Sequence, residues 1–206
     1  MIGANGLDLP VVDGLDLPER HRALLRPDET IRTRDGDAHR LPRFFFEISS
    51  WQVALETPLT PNFALWEFMD VDLPERERLR FFPRYVPCAV TVLAAALETF
   101  RAEVGATVRI AANGGYRSPT HDGSRSGSPH CWATAANIYS VGSDLLDTQD
   151  RIERHAAKIR RLLPFAWVRP YGRDIGCADD HLHVDIGYVT VVPHGLSEQG
   201  DDGPVG

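Results

Sequence analysis

The sequence predicts an α+β protein in which helices lie beside a small, mostly antiparallel sheet. Two helical patterns and a set of short alternating runs carry that expectation. Val86, Val90, Leu93, Leu97, Phe100 and Val104 keep helical spacing over 85–104, and Gly105 is placed to stop the helix. A second helix is expected over 148–163, opening at the capping residue Thr148. Strand-like runs are read at 107–115, 133–140, 165–169 and 183–192, the first ending in a glycine turn.

Taken in order, residues 1–58 read as an N-terminal extension and not as a second domain. The motif GLDLP occurs at 6–10 and again at 14–18, and LDLPER at 15–20 echoes VDLPER at 71–76. These short copies fit turns or helix starts opened by proline, not a solenoid. The aromatic and β-branched run FFFEISSWQVAL at 44–55 predicts a strand packed on the main domain. That domain is expected over 59–194 and begins at LTPNFALWEF, where Thr60 and Pro61 suit a helix start and Phe63, Leu65 and Phe68 supply anchors. Residues 195–206 read as a flexible tail.

Composition narrows the function classes. With 43% hydrophobic and 25% charged residues in 206, the chain is long enough for one sizeable core. A formal charge of -7 argues against a nucleic-acid partner, whose phosphates call for a Lys/Arg surface. The cluster Arg151, Arg154, Lys158, Arg160 and Arg161 reads as a solvated helix face. No apolar run is long enough to span a membrane, and MIGANGLDLP carries no signal-peptide pattern. The expectation is a cytoplasmic protein, unless a phage-like or other signal-independent route delivers it outside. Cys88, Cys131 and Cys177 do not make a disulfide framework.

Chemistry concentrates at three places: GGYRS at 114–118, SPHCWATAAN at 128–137 and DDHLHVD at 179–185. Two histidine-bearing strands, with Asp180 three residues ahead of His183, suit a zinc hydrolase. Such an enzyme needs three protein ligands, an open position and a carboxylate for the proton of the bound water.

The order of these motifs resembles the zinc D-Ala-D-Ala carboxypeptidase and dipeptidase superfamily, which includes the Hedgehog amino-terminal signalling domain. Its pattern is a GYRS turn, then S-x-H-x-x-G-x-A-x-D, then D/E-x-x-H, met here by 116–118, 128–137 and 180–183. The resemblance covers about residues 60–192 and implies the Hedgehog/DD-peptidase fold. It implies zinc held by His130, Asn137 and His183, with Asp180 as general base. It further implies that Arg117 steadies the substrate carbonyl or oxyanion, that Ser128 and Tyr116 hold substrate, and that His181 orients the base or meets the leaving group. Asp185 would fix the strand or a histidine tautomer.

Two positions depart from the pattern. Ala133 stands where the family has glycine, a change expected to cost local crowding. Asn137 stands at the aspartate ligand, seven residues after His130, and its neutral oxygen is a poorer donor to zinc. Three fates are open to Cys131 and Cys177: buried thiols, a disulfide joining the ligand strands, or a rescuing thiolate on the metal. The resulting function is a zinc-dependent peptidase acting on short peptides with a free C-terminus, such as the D-Ala ends of cell-wall stem peptides. The alternatives are a noncatalytic descendant that binds a peptide or partner, and an unrelated α+β protein with accidental matches.

Overall fold

The computed structural model describes residues 7–33, 36–79, 82–124, 127–174 and 176–194, so the expected tail at 195–206 lies outside the described residues. The chain is mixed α and β, and the paired strands are antiparallel. Strands β1 (Val11–Asp13) and β4 (Phe44–Glu47) pair with each other, and β4 pairs onward with β5 (Tyr85–Pro87). Helix α1 (Glu19–Leu25) and the hairpin of β2 (Thr30–Arg32) and β3 (Ala38–Arg40) lie between the first two strands in sequence. Leu9, Leu17, Leu25, Phe45, Phe46 and Ile48 join Leu93, Leu97, Phe100 and Val184 in one buried cluster. Residues 7–58 therefore share their core with the rest of the chain.

The strand expected over 44–55 ends at Glu47, and helix α2 (Trp51–Glu56) follows. Local capping accounts for this: the Ser50 hydroxyl accepts a hydrogen bond from Val53 N (3.2 Å), as an N-cap serine does. At 60–68 the expected helix is a 3₁₀ turn over Leu65–Phe68. Helix α3 (Leu73–Leu79) comes next. Helix α4 (Val90–Val104) starts five residues later than its spacing predicts, because Pro87 keeps Val86 extended and Tyr85–Pro87 joins β4. The helix ends as expected, with Gly105 left-handed at φ 61° and its N–H on Arg101 O.

The larger sheet has the order β6 (Val108–Ile110), β7 (Ala135–Val141), β10 (Leu182–Asp185), β9 (Trp167–Val168), with β8 (Asp144–Leu145) also on β7. Helix α5 (Gln149–Leu162) turns Ile152, Ala156 and Ile159 inward, and its basic face is solvated as read from sequence. Arg151, Arg154 and Arg160 there pair with Asp147, Asp150 and Glu153. Among the described residues, no helix is long and apolar enough to cross a membrane.

Register decides what the sheet presents. Leu182 pairs with Ile138, His183 with Asn137, Val184 with Ala136, and on the other side Val184 with Val168 and Asp185 with Trp167. Alternation puts Leu182, Val184, Ile138 and Val168 in the core and turns Asn137, His183, Asp185 and Trp167 to the opposite face. The strand expected to run to Val192 stops at Asp185, whose Oδ1 accepts from Gly187 N (3.0 Å) at a left-handed glycine of φ 79°.

Gly115 joins the smaller elements to this face by a contact that tolerates no side chain. A Cβ there would lie 2.2 Å from Phe68 O and 2.6 Å from Phe68 C, both backbone atoms that cannot turn aside. Gly115→Ala is expected to destabilise the fold by about 1–3 kcal/mol, read as a lowered urea midpoint; an unchanged midpoint would contradict this packing.

Candidate metal centre

His130 lies in a 3₁₀ turn, Pro129–Trp132, one turn before β7 and not on a strand. Ala133 closes that turn in the left-handed region at φ 56°, and so β7 begins at Ala135 instead of 133. The cost of an alanine at this position is therefore backbone conformation, about 1–2 kcal/mol for an L-residue, and not the crowding expected from sequence.

The rings of His130 and His183 are brought to a centroid separation of 5.2 Å at 66°. Two imidazoles sharing one tetrahedral ion at about 2.0–2.1 Å per nitrogen have centroids about 5 Å apart, so this spacing fits a common ion. Each ring is also fixed by an oxygen. His130 Nδ1 meets Gly115 O at 2.7 Å. A carbonyl only accepts, so Nδ1 carries the hydrogen and Nε2 the lone pair.

His183 is held on both sides, with Nδ1 at 2.8 Å from Asn137 Oδ1 as placed and Nε2 at 3.1 Å from Asp185 Oδ2. Burial lowers the His183 pKa, with the bond to Asp185 opposing, so the ring is neutral and has one N–H. A carboxylate needs that hydrogen more than an amide does, which places it on Nε2. The satisfied network then has the Asn137 amide turned so that its NH₂ donates to the Nδ1 lone pair, amide oxygen and nitrogen being exchangeable by a half-turn. His183 Nε2–H on Asp185 is also the outer contact that orients a metal-binding histidine.

The remaining expected site residues fall in different settings. Arg117 is half-buried, its Nε donates to Asn113 O, and its backbone N–H donates to His130 O (3.2 Å). Ser128 is half-buried at the start of the 3₁₀ turn and makes no side-chain cap. Tyr116 is 1% exposed with its hydroxyl unpartnered, so its ring is core and leaves no surface for a ligand in this conformation. Asp180 has an 80% exposed side chain; its Oδ1 is 2.6 Å from His181 Nδ1, while His181 Nε2 is buried without a partner. Among the described residues Asp180 bonds to neither His130 nor His183.

The three cysteines are free. Burial pushes the Cys131 thiol up to about 11, so it is protonated at neutral pH and a poor metal ligand as it stands. Among the described residues, no group of three or more His, Cys, Asp and Glu side chains is arranged to hold a metal. Asn137 brings an amide and not a carboxylate to His183. Two residues of this face went unread in the sequence: Trp167, with its ring 5.6 Å from His183, and Arg169, stacked 5.9 Å from Trp167. The alternation in AWVR at 166–169, with apolar Val168 turned inward, is the signal that could have found them. Comparison of the chain with protein-family models, curated proteins and solved structures finds no match.

Both site histidines are held neutral. Burial takes His130 well below its ordinary value, helped by the Arg117 charge, and His183 is lowered by burial. His155, packed on Phe100 and also lowered by burial, behaves alike. In the unfolded chain each takes up a proton near pH 6.5, before the folded form does, so stability is full above that pH and falls below it. The expected loss is up to about 1.4 kcal/mol per pH unit for each histidine until its folded pKa is reached. Urea unfolding at pH 7.5, 6.5 and 5.5 measures it, and equal stability at all three would refute the neutral assignment.

Proposed function

We propose that this chain is a zinc-dependent peptidase-like hydrolase of the Hedgehog/DD-peptidase fold, acting on short peptides with a free C-terminus such as cell-wall stem peptides. The observation that carries the reading is the His130 and His183 pair, spaced for one ion, with each outer nitrogen held by an oxygen. His130 Nε2 and His183 Nδ1 would be the donor nitrogens, and Asn137 would supply a neutral amide oxygen once turned from Nδ1. Zinc bound there would polarise the scissile carbonyl and acidify a water.

The chain's own groups supply the proton handling and charge stabilisation. Asp180 accepts from His181 Nδ1–H, which leaves Nε2 as the basic nitrogen, so the pair acts as one base with Asp180 holding the tautomer. This gives the proton to His181 and orientation to Asp180, the reverse of the roles that the resemblance implies. Arg117, tied by its backbone to His130, is the cation available to a developing oxyanion. His181→Ala is expected to lower peptide hydrolysis by about 10²–10⁴-fold with zinc content unchanged. Loss of zinc in that variant would make His181 a ligand and not the base.

A second reading is favoured by one contact. The Asn137 amide satisfies His183 Nδ1 without any ion, which an aspartate could not do for a neutral ring whose one N–H is already on Asp185. A noncatalytic peptide-binding protein would keep this closed network. Asn137→Asp separates the two readings. It adds an anion beside the dication and removes the competing hydrogen bond, so zinc affinity should rise about tenfold or more, roughly 1.4 kcal/mol, with hydrolysis of a D-Ala-D-Ala peptide rising at limiting zinc. Calorimetric titration showing no zinc binding by either protein would leave the noncatalytic reading.

A further inference from the structure

Each site histidine accepts, at its backbone carbonyl, from an arginine that forms no ion pair among the described residues. Arg117 N–H donates to His130 O (3.2 Å), and Arg169 N–H donates to His183 O (3.1 Å). The backbone thus sets one arginine alongside each histidine. Surface arginines such as Arg43, Arg84 and Arg154 pair with Asp or Glu, but among the described residues Arg117 and Arg169 form no ion pair. Arg169 packs its Cζ 5.9 Å from the Trp167 ring, and its buried Nε has no hydrogen-bond partner among the described residues.

The acid beside Arg169 is already engaged. Asp185 spends one oxygen on His183 Nε2 and the other on Gly187 N. Arg169 therefore faces a carboxylate whose oxygens are both engaged elsewhere. A half-buried guanidinium with an orphan Nε–H is costly to leave so, and a planar anion that accepts from Nε–H and a terminal N–H together would satisfy it. Trp167 stiffens that arginine by stacking and stands beside His183, so the fork is held next to the reacting position.

We propose that Arg169, braced by Trp167, is the substrate-recognition residue of this site and receives the C-terminal carboxylate of the bound peptide. The inference rests on the hydrolase reading for where the peptide lies, but its anion preference can be measured without zinc. A carboxylate fits better than a phosphate because the orphan donor is one fork of one arginine, whereas a phosphate dianion calls for several cations.

The test uses the full chain treated with chelator. A tripeptide ending in D-Ala-D-Ala, its C-terminal amide and inorganic phosphate are each titrated while tryptophan fluorescence is read. The free acid is expected to bind at least tenfold more tightly than the amide. Arg169→Gln should bring the two within about twofold, and Arg169→Lys, which keeps charge without the fork, should fall between. Equal binding of acid and amide by the unaltered protein, including no binding of either, overturns the proposal without relying on a variant. So does an undiminished preference in folded Arg169→Gln, or phosphate binding more tightly than the peptide acid and lost in that variant. A preference for the acid in a protein that neither binds zinc nor hydrolyses peptide supports the assignment to Arg169 and defeats only the hydrolase reading.

Discussion

A buried neutral imidazole has one hydrogen to give and one lone pair to satisfy, and the whole face around His183 is arranged by that constraint. Asp185 takes the hydrogen at Nε2, so the lone pair is directed at Nδ1, where only a donor or a metal can meet it. Cross-strand register delivers Asn137 to that nitrogen, since His183 and Asn137 are direct partners in the β7–β10 ladder. A slip of one residue would send His183 into the core and bring Val184 or Leu182 to the face. The same ladder buries Leu182 and Val184 against α4 and α5, so the packing that holds the sheet also fixes the ring.

His130 meets the same constraint by a different route. Its hydrogen goes to Gly115 O, in a turn that only glycine can occupy against Phe68. The left-handed Ala133 then folds the chain back into β7, whose Asn137 pairs with His183, and the His183 ring lies 5.2 Å from that of His130. Two separate local devices, a glycine packed on backbone and an alanine in a costly conformation, thus converge on one separation between two rings. An alanine kept in the left-handed region is the kind of local cost that a fold retains where the turn it makes positions something.

Much of this was legible in the sequence, for identifiable reasons. The alternation of HLHVD announces which side chains share a face, and a 15-residue helix ending in glycine needs only its periodicity to be seen. The basic face of α5 followed from charge spacing alone. What the sequence concealed depends on backbone conformation or distant partners. Pro87 cuts the helical run at 85–104, and Ser50 turns an aromatic strand into a helix. Neither the merging of residues 7–58 into the main core nor the burial of Tyr116 has a local signature, because both arise from packing across long stretches of chain. The reach of Asp180 to His181, and not to His183, is a loop conformation that the D-x-x-H spacing leaves undetermined.

Asn137 is where the account is most exposed, because the amide either yields to an ion or replaces it. Crystals of the unaltered protein grown with saturating zinc and measured at the zinc absorption edge address it directly. The expected result is an anomalous peak bonded at about 2.0–2.1 Å to His130 Nε2 and His183 Nδ1, with the Asn137 amide turned away from its hydrogen bond to the ring. A zinc-saturated crystal with no peak between those rings, and with Asn137 still bonded to His183 Nδ1, would contradict it.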